Sequence, residues 1–133
     1  MVFKPGQAQP EAMIVEGVAG NAVTAGYAVV ANASTSKFTH SAGAKPTGAI
    51  GIALDSAASD KAVRVALAGK VSAVAAGAIK KFNFVSVASS GKVEAATVDT
   101  DYIIGIALEE ATAADDVILV KICPNFINKA GSA

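Results

Sequence analysis

The strongest constraint on this chain is a phrase that occurs twice. Ile50-Gly51-Ile52-Ala53-Leu54 is followed by Asp55-Ser56-Ala57, and half a chain later Ile104-Gly105-Ile106-Ala107-Leu108 is followed by Glu109-Glu110-Ala111. Each copy leads into an alternating apolar stretch, with Val63, Val65 and Leu67 after the first and Ile118, Val120 and Ile122 after the second. Upstream, Val23-Thr24-Ala25-Gly26 and Val74-Ala75-Ala76-Gly77 read as a further matched pair. Two copies at so long an interval are too few for a solenoid and point to one fold made of two related halves.

The local pattern is that of strands. Short β-branched runs punctuated by glycine, such as residues 12–17 and 27–30, favour extended backbone and tight turns over helix. Residues 62–68 alternate, with Val63, Val65 and Leu67 on one face and Arg64 among the residues on the other. Gly69-Lys70 reads as a turn into the next strand, 71–74, and Ser89-Ser90-Gly91-Lys92 as a hairpin. Phe82 and Phe84 are expected to face inward. Residues 32–47 form a polar loop or ragged hairpin anchored by Phe38, and residues 55–61 a polar turn, with Asp55 or Ser56 placed to cap a single helical turn. Gly51 lies inside a strand, where glycine marks a bulge or a close backbone approach. The expectation is an all-β protein, a small β-barrel or sandwich with internal duplication and few or no long helices.

Three regions follow. Residues 1–11 carry Pro5, Gly6 and Pro10 and show no helix or strand period, which makes an extended N-terminal arm with Phe3 as a docking aromatic. Residues 12–123 form the β-barrel domain of two related halves. Pro124 stops the last strand, and residues 124–133 are a C-terminal tail containing Phe126 and Ile127.

Composition narrows the chemistry. Of 133 residues 53% are hydrophobic, mostly alanine and valine, which predicts a thin core with closely spaced elements. Eleven basic residues balance eleven acidic ones and are spread along the chain with no run longer than two, so no footprint for nucleic acid or anionic lipid is expected. Residues 62–79 are the most apolar stretch but include Arg64 and Lys70, which argues against a membrane span. The N-terminus lacks the order of a secretory signal, so synthesis without export is expected.

No cofactor, metal or catalytic set emerges. Cys123 and His40 are each the single residue of their type, which excludes an internal disulfide and a Cys/His metal site. No serine stands in a Gly-x-Ser-x-Gly setting, and Gly48-Ala49-Ile50-Gly51 lacks the lysine of a phosphate loop. His40 reads as a solvated loop histidine. Glu109-Glu110, Asp115-Asp116 and Asp99-Thr100-Asp101 do not follow a calcium-loop pattern and read as turn carboxylates. The expectation is that the protein is not an enzyme.

Over residues 12–123 the repeated phrases, the Val-x-Ala-Gly segments and the final alternating strand resemble the family of small phage capsid decoration, or cement, proteins. The resemblance implies a small β-barrel that forms a homotrimer on the outer surface of an icosahedral head, as a virion component synthesised in the host cytoplasm. Its implied partners are the major capsid protein, whose neighbouring subunits it would clamp, and further copies of itself. An arm that adds to capsid strands is common in such proteins, which makes Val2, Phe3, Lys4, Pro5, Gln7, Gln9 and Pro10 the implied capsid-contact residues. The tail is longer than in compact members. A recombinase label, often transferred to such proteins, finds no nucleotide loop here. The alternative from another class is a carbohydrate- or surface-binding β module of a phage fibre or adhesin. Scarce aromatics and the absence of tryptophan count against it.

Overall fold

The computed structural model describes residues 5–6, 12–41, 49–96 and 103–122. Among them are nine strands and no helix: β1 Met13–Val18, β2 Ala28–Asn32, β3 Lys37–His40, β4 Ala49–Ala53, β5 Ala62–Val74, β6 Phe84–Val87, β7 Val93–Ala95, β8 Gly105–Ala107 and β9 Val117–Ile122. A continuous hydrogen-bonded path runs β3-β2-β4-β5-β9-β8-β6-β7, and β1 pairs with β5. The expected all-β fold with internal duplication, a small barrel or sandwich, is met by the described residues as a curled half-barrel sheet.

The duplication is written in the pairing. The first half has the order β3-β2-β4-β5 and the second β7-β6-β8-β9. Ala28 opposite Ile52 recurs as Phe84 opposite Ile106, and Ile52 opposite Ala66 recurs as Ile106 opposite Lys121. Strand β5 belongs to both halves: its first part pairs with β1 and β4, and its second part, Gly69 to Val74, pairs with β9. The final strand of one half is therefore the opening strand of the next. Each half curls until its ends meet, through a parallel bridge from Ala19 to Phe38 in the first and from Ala75 to Val93 in the second.

Glycine is obligatory in the repeated phrase. A β-carbon on Gly51 would lie 2.2 Å from the Ala66 carbonyl oxygen, and one on Gly105 would lie 2.1 Å from that of Lys121. Both distances are far inside contact, so the strands cross at a spacing that only a bare backbone permits. Gly69 does a different job. It sits within β5 at φ 91°, left-handed backbone that bends the strand from one sheet into the other without ending it. The turn expected at Gly69-Lys70 is thus a continuous thirteen-residue strand.

A second correction concerns the upstream match. The backbone counterpart of Gly26 is Phe82: Gly26 N–H donates to Ala53 O at 2.8 Å, Phe82 N–H donates to Ala107 O at 2.7 Å, and their φ angles are 86° and 70°. Val74, at the end of β5, corresponds instead to Val18 at the end of β1, since they pair with Val117 and Ala62. Residues 74–77 resemble 23–26 in composition but occupy another place in the fold.

Two cores result. The smaller holds Ala19, Val23, Val29, Ala53, Val63 and Val65, with Phe38 packed against it as its expected anchor. The larger fills the second half with residues such as Val71, Ile79, Val85, Val120 and Ile122, and it also takes in Ala28, Ala49, Ile52, Leu54 and Ala66 from the first. Each buried valine or isoleucine contributes about 1.5–3 kcal/mol. The alanines at the seam let the halves close on each other. Phe82 and Phe84 stay outside, 61% and 56% exposed, contrary to the inward orientation expected from their hydrophobicity.

Candidate functional site: an apolar face and a strand edge

Several of the acidic side chains hold turns. Asp55 takes three hydrogen bonds from Arg64, from its backbone N–H at 3.1 Å and its guanidinium at 3.0 and 2.8 Å. The side-chain bond from Arg64 is the main reason its carboxyl lies below the ordinary range. No helical turn forms here; Ser56 Oγ instead accepts the Ala25 N–H at 3.0 Å. Asp116 accepts the N–H groups of Thr112 and Ala113 at 2.8 and 3.1 Å and the Thr112 hydroxyl at 3.0 Å, and these bonds lower its pKa. Glu109 accepts the Leu119 N–H at 2.8 Å. These acids are turn carboxylates, and among the described residues no three metal-ligating side chains gather. Asp99, Asp101 and Cys123 lie outside the described residues.

His40 is built into the seam between the halves. It ends β3, half-buried, with its ring 6.1 Å from that of Tyr27 and its backbone N–H donating to Asn21 Oδ1 at 2.8 Å. Gly91 approaches the ring so closely that a β-carbon there would lie 2.7 Å from His40 Cε1. A packed seam residue replaces the solvated loop histidine expected from the sequence.

What the surface offers is apolar. Met13, Ile14 and Val18 are 56%, 43% and 38% exposed along β1, and with Phe82 and Phe84 they are the exposed large hydrophobics among the described residues. Phe84, Ile106 and Lys121 form a row across β6, β8 and β9, with Leu108 half-buried nearby in sequence. Lys81 Nζ sits 5.0 Å from the centre of the Phe82 ring. Beside Phe82, an open cleft of about 400 Å³ is lined by Ile79, Lys80, Asn83, Glu110 and Thr112. Sequence reasoning missed the face because it assigned the phenylalanines to the core. The available signal was the break in alternation at Phe84-Val85, which places Val85 inside and Phe84 outside.

Two residues of the expected arm, Pro5 and Gly6, pack on the strands of their own chain. Gly6 N–H donates to Ser72 O at 3.1 Å, and Pro5 lies against Gly26, where a β-carbon would come within 2.7 Å of Pro5 Cβ. Of the implied capsid-contact residues, Pro5 is described and exposed; Val2, Phe3, Lys4, Gln7, Gln9 and Pro10 lie outside the described residues, as does the tail. No helix among the described residues is long and apolar enough to cross a membrane.

This architecture is one used on phage heads. It is similar to the head fibre gp8.5 N base of bacteriophage phi29, with a TM-score of 0.66 at 17% identity, over 84% of this chain and 96% of that one. At that identity the likeness is one of fold. In sequence, the model of the phage cement protein family matches residues 45–122, from before β4 to the end of β9. The chain belongs to that family and is a structural protein of a phage virion. No curated protein matches it in sequence.

Proposed function

We propose that the protein binds the outer surface of an icosahedral phage head as a homotrimer and stabilises the shell by clamping neighbouring major capsid subunits. The observation that carries this reading is the cement-family match across β4 to β9. The rest of the molecule is consistent with it. Asp55, Glu109 and Asp116 hold turns, and the exposed apolar residues offer contact area of the kind that marks interaction sites. A part repeated many times on a shell needs only a modest interface per copy, because avidity multiplies weak contacts. The arm, residues 1–11, supplies capsid contacts through Val2, Phe3, Lys4, Pro5, Gln7, Gln9 and Pro10 by adding to capsid strands.

The test is direct. Purified protein added to heads that lack it should bind and raise their resistance to heat or to a chelator. Heads that take up none, or bind it without gaining resistance, reject the proposal. The carbohydrate-binding alternative has one structural point in its favour, the exposed Phe82 and Phe84 rings. Glycan-array binding without affinity for heads would make that the better reading.

A further inference from the structure

We infer that copies of this chain join head to tail, the face around Phe82 and Phe84 of one copy seating on the β1 edge of the next, in the arrangement that the two halves already adopt within each chain. The inference deepens the reading that copies assemble, and it rests on that reading; it does not depend on capsid binding.

The joint inside the chain defines the geometry. The first half contributes a face: Gly26, Ala28, Ile52, Leu54 and Ala66, all buried. The second half contributes an edge and a turn: Val74 N–H donates to Gly26 O at 3.0 Å, and Gly91 O accepts the Ala28 N–H at 2.8 Å. Because the halves share one fold, each carries both surfaces. The second half's own copy of the face is Phe82, Phe84, Ile106, Leu108 and Lys121, by the pairing described above. The first half's own copy of the edge is β1, where Val18 stands for Val74. Its copy of the turn holds Ser36 at φ 59° where the second half has Gly91 at φ 89°.

One face and one edge are therefore left over, at opposite ends of the repeat. Among the described residues, all five exposed large hydrophobics fall on them: Phe82 and Phe84 on the face, Met13, Ile14 and Val18 on the edge. An apolar strand edge without protective lysine or proline is a liability in a free monomer, and a matching partner surface resolves it.

The substitutions at the joint follow the change from an internal to an external contact. Inside the chain the shared strand β5 holds the halves together, and Gly26 and Ala28 let them approach closely. Between chains no covalent link exists, and aromatic residues take the same positions, as in interface anchors. Phe82 even adopts left-handed backbone, φ 70°, which a bulky residue rarely does. Since face and edge are different surfaces, the contact is heterologous and either closes into a ring or runs on as a filament.

Two double variants test this on the full chain: Phe82→Lys with Phe84→Lys on the face, and Ile14→Lys with Val18→Lys on the edge. Circular dichroism of each establishes that it folds, and the single variants Phe84→Lys and Val18→Lys replace any double variant that does not. The wild type should assemble at concentrations up to about 1 mM, and each variant alone should associate on the order of 30-fold more weakly. Mixed together, the two should form a 1:1 heterodimer, measured by light scattering, because one intact face then meets one intact edge. A wild type that stays monomeric throughout that range overturns the inference. So does an edge variant that fails to associate while the face variant assembles normally, since β1 would then pair with β1. Variants that both assemble like the wild type place the contact elsewhere and leave the trimer reading standing, while head binding tests the capsid role separately.

Discussion

Lys37 Nζ lies 2.7 Å from Asp60 Oδ1, and the same ion pair recurs in the second half between Lys92 and Asp115. Both aspartates occupy left-handed backbone, at φ 68° and 72°, and both donate their N–H to the residue after the half's first strand, Ala19 O at 2.7 Å and Ala75 O at 2.8 Å. Aspartate tolerates that backbone better than most residues. The backbone bond fixes the turn, while the ion pair is largely exposed and screened. Lys37→Ala should therefore lower Tm by less than about 3 °C, and by less still in high salt. A fall of about 8 °C or more in a calorimetric melt would assign the pair a structural role.

The glycines of the repeated phrase should behave differently. A β-carbon at Gly51 or Gly105 meets a backbone carbonyl oxygen, which cannot rotate away as a side chain could. Gly51→Ala and Gly105→Ala should each cost about 3 kcal/mol or more in urea unfolding, through forced separation of the strand pairs. Losses below about 1 kcal/mol at both positions would mean that the strands can part at little cost.

How much of this was legible follows from where each residue's constraint lies. Gly51, Gly105 and the alternating Val63-Val65 and Ile118-Val120 runs announce themselves because backbone spacing and burial act within one half. Gly69 misled because glycine followed by lysine is a turn signal, whereas here the neighbouring strands change on either side of a strand that continues. The equivalence of Gly26 and Phe82 was hidden because it lies in backbone conformation and hydrogen bonding, with no likeness between the side chains. The exposure of Phe82 and Phe84 was hidden for a related reason. Hydrophobicity reports that a residue is suited to being covered, and it does not report whether the cover comes from the same chain.

Acid should weaken the fold through its turns. Asp55 and Asp116 have folded-state pKa values below the ordinary 3.8, the first through Arg64 and the second through the Thr112 and Ala113 N–H groups. A depressed carboxylate contributes stability that is fully present above its unfolded value and is lost as pH falls through its folded value. Urea stability should accordingly be flat above about pH 5 and decline below about pH 4. Asp116→Asn should reduce stability at neutral pH and flatten that decline. An unchanged slope in the variant would remove Asp116 from the account.

Phe82→Gly separates the stability of the monomer from its association. Glycine stands at the equivalent position in the first half with nearly the same φ. Relief of the left-handed strain favours the variant, and the added freedom of its unfolded chain opposes it. The net change in urea unfolding of the dilute protein should therefore stay within about 1 kcal/mol. Association should weaken at the same time, since the ring is lost from the exposed face. A variant that unfolds far more readily would show that Phe82 serves the fold of its own chain.

The arm joins the fold to the proposed function at Pro5 and Gly6. Because Gly6 N–H is bonded to Ser72 O and Pro5 packs on Gly26, removing residues 1–10 takes away a piece of the barrel's own covering along with any capsid contact. The longer truncation should lower Tm by a few degrees, roughly the effect of losing one hydrogen bond and a small packing contact. Removing residues 1–4 spares both contacts and should lower Tm by less than the longer truncation does. If the arm adds to capsid strands, the shorter truncation should still weaken attachment to heads, because Val2, Phe3 and Lys4 are gone while the barrel is intact. Co-sedimentation with heads measures this directly. Full binding by both truncated proteins would reject the arm's role and leave attachment to the barrel or the tail.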